Sequence, residues 1–221
     1  MGIGHVAVGL ALKQADRRLN AGWLIFAALL PDFLLGWFAL AGWESYTAPA
    51  NYASAHYLLF TFPWSHGLAA DIAWAAIAAL LARRFGGRRA GALAVAAAVL
   101  SHFVLDGVVH VQGLPVAGGA AFGLGLWRRL PLALSVEAAL AAMGLWMYRS
   151  AVRQYAPGAG TGMAVYVVVL AVFLLGGQAA ATVEPPRGSL IASWLAGPPV
   201  IAGIAWWLDW RKLPVGVTID P

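Results

Sequence analysis

Six stretches of this chain are apolar for long enough to cross a bilayer: residues 20–43, 65–83, 90–111, 130–148, 162–182 and 189–210. A crossing helix needs about 20 mostly apolar residues. Composition agrees, because 62% of the residues are hydrophobic and 10% are charged, more apolar surface than a soluble domain of this size can hide. The reading is therefore all-α, a polytopic membrane helical bundle of about six transmembrane helices. Residues 2–12 are too short to span and are expected to form an N-terminal half-helix packed into it. The chain reads as one integral membrane domain over 1–221, with its polar core in 1–150 and two additional transmembrane helices in 151–221. Pro31-Asp32 in the first run and Gly197-Pro198-Pro199 in the last predict kinks.

The charges give orientation. Lys13, Arg17, Arg18, Arg83, Arg84, Arg88, Arg89, Arg149, Arg153, Arg211 and Lys212 fall on one side of this topology, and Arg128, Arg129 and Arg187 on the other. That bias predicts a cytoplasmic C-terminus, with segments 44–64, 112–129 and 183–188 outside. The basic residues sit in short clusters between apolar runs, so the chain reads as a membrane protein and not as a nucleic-acid binder. The charges at Lys13, Arg17 and Arg18 follow the apolar start, the reverse of a cleavable signal peptide, so the N-terminus is expected to be retained. There is no cysteine, which excludes disulfides and thiolate metal sites.

Against this apolar background the ionisable residues stand out. His102, Asp106 and His110 recur every four residues and so share one helical face. Imidazole and carboxylate are metal ligands, and ionisable groups within a bilayer mark function. His66 opens the second run, Asp32 lies mid-depth in the first, and His5 joins them if residues 2–12 dip inward from the outer face. All then converge in the outer half of the membrane. Asp71, five residues beyond His66, reads as a group that orients a histidine, and Glu137 in the fourth run as a ligand or general base. His56 reads as ordinary surface, and the tryptophans near the run ends as an interfacial belt. The loop GLPVAGGAAFGLG matches no nucleotide-binding pattern and reads as a cap over the site or a re-entrant turn.

The order of these motifs, His5, Pro31-Asp32, Ser65-His66, Ser101-His102-x-x-x-Asp106 and Gly113-x-Pro115, resembles the YdjM-like family of inner-membrane metal-dependent hydrolases. That family is itself similar to zinc-dependent phospholipase C. The resemblance covers residues 1–150 and implies that His5, Asp32, His66, His102 and Asp106 are metal ligands, with His110 as a further one. The chain departs from the family pattern at PDFLLG, which lacks a second acid, at TFPWSHG, which lacks an arginine, and at Gly67, where the family has serine.

What the resemblance implies is a divalent metal, zinc above all, as one or two ions, and hydrolysis of a phosphoester in a lipid or lipid-linked substrate. Glu137 or Asp71 would serve as the base. Metals on nitrogen and oxygen ligands make water acidic enough to attack near neutral pH. The alternative is a cation or proton transporter or channel built around the same residues, for which broken helices would suit. The nearly pure apolar inner halves of the runs favour a one-sided site.

Overall fold

The computed structural model describes residues 2–111, 113–116, 119–154 and 156–210. Arg211 and Lys212, two of the charges used for orientation, lie outside the described residues. The described chain is helical throughout its apolar runs: α1 (Gly2–Ala11), α2 (Ala21–Ala28), α3 (Leu30–Leu40), a short α4 (Tyr52–Ala55), α5 (Leu68–Arg84), α6 (Arg89–Val109), α7 (Leu130–Val152), α8 (Pro157–Ala180) and α9 (Arg187–Trp210). Two small antiparallel hairpins sit in the loops, β1 (Ser45–Thr47) with β2 (Leu59–Thr61) and β3 (Leu114–Pro115) with β4 (Ala121–Phe122).

Among the described residues, four helices are long and apolar enough to cross a membrane, and five spans result if α2 and α3 count as one bent at 49°. The expected count of six is not reached, and the difference lies in the second run. There α5 has 17 residues, a length of about 26 Å against a hydrocarbon core of about 30 Å. It starts late because residues 64–66 are held in a non-helical turn by contacts described below. The break between α2 and α3 falls where Pro31 was expected to put it, since proline fits the first turn of a new helix but not the interior of an old one. Pro198-Pro199, by contrast, do not interrupt α9.

Large side chains such as Val168, Val172 and Phe173 stand exposed along the outside of the bundle, as they would against lipid. Inside, α1 is largely enclosed. Seven of its ten residues are buried, and it packs on α7 and α2. The buried residues of α7 run Ala133, Glu137, Ala141, Gly144, Tyr148, one stripe at helical spacing that is small wherever α1 crosses it. A Cβ on Gly144 would lie 2.3 Å from the carbonyl oxygen of Ala7, so the close approach requires glycine.

A buried polar knot fastens the end of the bundle remote from the His/Asp residues. Lys13 Nζ donates to Asp209 Oδ2 at 2.7 Å and to the Leu19 carbonyl at 2.8 Å. The Ala21 amide donates to the same carboxylate oxygen at 2.8 Å, and the Tyr148 hydroxyl to the other at 2.7 Å. One carboxylate thereby joins α9 to α2, to α7 and to the segment after α1.

Two outcomes follow. Gly144→Leu is expected to cost about 1–3 kcal/mol by overpacking, seen as a lower midpoint of thermal unfolding in detergent. Asp209→Leu strands the Lys13 ammonium and is expected to cost about 3–5 kcal/mol, whereas the double change Lys13→Met, Asp209→Leu removes both charges and should recover much of that loss. The same unfolding assay compares them.

Candidate metal centre

Five polar side chains from four segments meet at one end of the bundle. His5 comes from the buried α1, Asp32 from the first turn of α3, His66 from the turn before α5, and His102 and Asp106 from the buried stripe of α6. Asp106 is the hub. Its Oδ1 lies 3.1 Å from His5 Nε2, and its Oδ2 lies 3.2, 3.4 and 3.6 Å from Nε2 of His110, His102 and His66. Asp32 Oδ1 lies 3.7 Å from His66 Nε2 and 3.9 Å from His102 Nε2. The His5 and His102 rings stack with centroids 3.8 Å apart.

Hydrogen bonding on the far side of two rings decides which nitrogen is bare. His102 Nδ1 lies 2.8 Å from the carbonyl oxygen of Ala28. A carbonyl only accepts, so Nδ1 carries the proton and Nε2 keeps its lone pair. His66 is set by a longer relay. Glu44 is buried, accepting the Trp64 and Ser65 amides on Oε1 at 2.7 and 2.8 Å and the Ser65 hydroxyl on Oε2 at 2.6 Å. Ser65 has spent its only hydroxyl proton on Glu44, so at 2.7 Å from His66 Nδ1 it can only accept. His66 therefore also carries its proton on Nδ1. Burial pushes the Glu44 carboxyl up, and the Ser65 and Trp64 donors pull it back.

The two bare Nε2 atoms face each other at 3.0 Å. Two lone pairs at that distance repel, so the arrangement calls for a cation or a proton between them. A tetrahedral site with metal–ligand bonds of about 2.0–2.1 Å has ligand–ligand edges of about 3.3 Å. The separations among His66, His102, Asp106 and Asp32 given above scatter around that value, and the nitrogen and oxygen donors could hold a metal ion. Two overlapping triplets have their ligand atoms within 4.8 Å of one another: His66, His102 and Asp106, and His5, Asp32 and His102. Both need His102, whose Nδ1 is committed and whose Nε2 has one lone pair. The donors as arranged therefore suit one ion better than two.

Not every expected residue joins the centre. His110 reaches Asp106 but belongs to neither triplet. Its ring packs among Phe60, Phe62 and Trp127, which makes it a support for the carboxylate. Glu137 meets the amides of Ile3 and Gly4 at the start of α1, where a carboxylate suits the helix dipole. It steadies the helix that carries His5. Asp71 is fully buried, and its carboxylate faces the Phe103 backbone of α6 behind the centre. Neither acid lines the cavity described next, so the expected role of general base has no geometric support. His56 ends α4 in a left-handed conformation, away from the centre.

A cavity of about 520 Å³ lies against the open side of the cluster and is lined there by Asp32, His66, Asp106 and His110. Trp127 and Trp194 line it too. Asp32 is the accessible member of the cluster, with 27% of its side chain exposed against 1–3% for His5, His66, His102 and Asp106. The glycine-rich loop folds back as the β3–β4 hairpin. Amides just after it, on Leu124 and Gly125, donate to the carbonyls of Gly107 and His110, closing the end of α6.

Compared with protein-family models, with curated proteins and with solved structures, the chain finds no match.

Glu44→Gln tests the relay. The new amide would donate to Ser65, freeing its hydroxyl to donate to His66 Nδ1 and moving the ring proton to Nε2. Zinc affinity, measured by chelator competition, is expected to fall about 10–100-fold, with Ser65→Ala as a second variant that breaks the same link. Unchanged affinity in both would sink the relay.

Proposed function

We propose that this protein is a membrane-embedded, metal-dependent hydrolase that cleaves a phosphoester of a lipid or lipid-linked substrate. The observation that carries the reading is the pair of bare imidazole nitrogens, 3.0 Å apart, beside two carboxylates and open to a cavity. His66, His102 and Asp106 would hold the ion, with Asp32 and His5 completing or buffering the set. Such an ion acidifies water to a pKa of about 7 and polarises a phosphoryl oxygen. The chain's own contribution is positioning and exclusion. The Glu44–Ser65 relay and the Ala28 carbonyl aim the two imidazoles, and His110 and His5 brace Asp106 from opposite oxygens. Asp32, the one acid of the cluster with an exposed face, is the group able to exchange a proton with an incoming substrate. The likeness of motif order to the YdjM-like hydrolases supports the same reading, as does a site at the end of the bundle assigned to the outer half of an inner membrane.

The alternative, a proton or cation path, finds some support in the break between α2 and α3. A path needs polar steps across the bundle. Between the cluster and the Lys13–Asp209 knot, the described interior is filled by Ile3, Val6, Leu10, Leu24, Ile25 and Val99. That packing favours a one-sided site.

Elemental analysis of detergent-purified protein beside a folded His102→Ala variant separates the readings. One equivalent of zinc or another divalent metal in the wild type, lost in the variant, is expected, and the same loss should remove release of phosphate-bearing product from lipid vesicles. No metal even after reloading with zinc would overturn the hydrolase reading and leave a shared proton between His66 and His102.

A further inference from the structure

The last two helices form the far wall of the cavity, and their spacing gives it a second opening. The α8 helix packs mainly on α7, and α9 mainly on α2 and α3, while α8 and α9 meet each other only sparingly. Between them the cavity runs from His66 and Asp106 to Phe173, Val200 and Ile204. These three are 74%, 57% and 43% exposed, so the space opens sideways through the apolar flank of the bundle. Tyr166 bridges the two helices at one level by donating to the Ile201 carbonyl at 2.9 Å. Gly197 keeps the space clear, since it lines the cavity and a Cβ there would meet nothing within 4 Å.

The lining changes character along its length. The inner end carries imidazole and carboxylate groups, and the rest is mainly apolar, with Leu29, Leu35, Leu170 and Leu174 beside the isolated hydroxyls of Tyr166 and Ser193. A water-soluble ligand gains nothing from apolar walls or from a mouth on a lipid-facing flank. A hydrocarbon chain fits both, and its attached polar group then comes to rest at the only polar end of the cavity.

We propose that the cleft between α8 and α9 is a chain-binding channel, which admits one hydrocarbon chain of a membrane lipid from the side and seats the lipid's polar group against the His/Asp cluster. It deepens the hydrolase reading and rests on it for what happens at the polar end. The residues that set chain fit are Leu35, Tyr166, Gly197 and Ile201.

The test uses full-length protein in phosphatidylethanolamine bilayers doped with a phosphatidylglycerol that carries a diazirine within its chain. Irradiation and peptide mass spectrometry then locate the labels. Chain entry labels Leu29 and Leu35, which are 4% and 2% exposed and beyond reach of lipid around the bundle. Gly197→Phe projects into open space and is expected to abolish that labelling, while outward residues such as Val168 and Val172 label as before. Labels confined to outward residues, or inner labels unchanged in Gly197→Phe, overturn the channel whatever the metal content. Inner labelling in protein that takes up no metal keeps the channel and overturns the hydrolase reading.

Discussion

Two imidazole nitrogens 3.0 Å apart, each with its proton fixed on the far side of its ring, are unstable neighbours unless something positive lies between them. Burial sharpens the problem, because a low dielectric strengthens the repulsion of unshared lone pairs and removes the water that would relieve it. The surrounding fold can be read as the apparatus that holds this pair together. The break between α2 and α3 frees the Ala28 carbonyl region to face His102 and starts α3 with Asp32 in its first turn. The Glu44 loop ties down the turn that carries His66. Buried α1 then brings in His5, stacked on His102, from a third direction.

Each of these supports has its own cost, and the structure meets it locally. An enclosed half-helix leaves its first amides without partners, and Glu137 answers two of them. A helix that ends at His110 leaves carbonyls behind, and the loop after the β3–β4 hairpin returns to bond them. The remote end of the bundle carries the Lys13–Asp209–Tyr148 knot, a tightly paired group of the kind that tolerates burial only when every donor is matched. It anchors α9 against α2 and α7, and so sets one wall of the cavity from the opposite end of the molecule.

Much of this was legible in the sequence wherever residues interact at helical spacing or through a backbone rule. The four-residue repeat of His102, Asp106 and His110 placed them on one face, and Pro31 marked the break that positions Asp32. What could not be read were contacts that have no period. Glu44 acts on His66 through a serine, 21 residues away, and nothing in a lone glutamate of a polar loop announces that. Lys13 read as an orienting charge at the edge of an apolar run, and nothing in the sequence linked it to Asp209; only the packing of α9 on α2 brings them together. Glu137 was conspicuous as an acid in an apolar run, but its partner is a helix end and not a side chain, so its residue type suggested catalysis where its surroundings give support.

The location of the cluster decides what kind of chemistry suits it. A buried ion site in the middle of a bundle serves a path through the membrane, and needs polar groups on both sides. Here the polar groups lie at one end, packed apolar residues lie beneath, and the open face leads into a cavity with one polar and one apolar end. Asp32 is the most exposed of the cluster residues that line that space. Such an arrangement suits a reaction in which an amphipathic molecule arrives from the bilayer and only its polar part reaches the reactive groups. Water then needs access to one edge of the site, and the protein need not open a route across its core. The apolar packing beneath the cluster, which favours a one-sided site, also keeps water from that side of it, and electrostatic interactions are strongest where water is excluded.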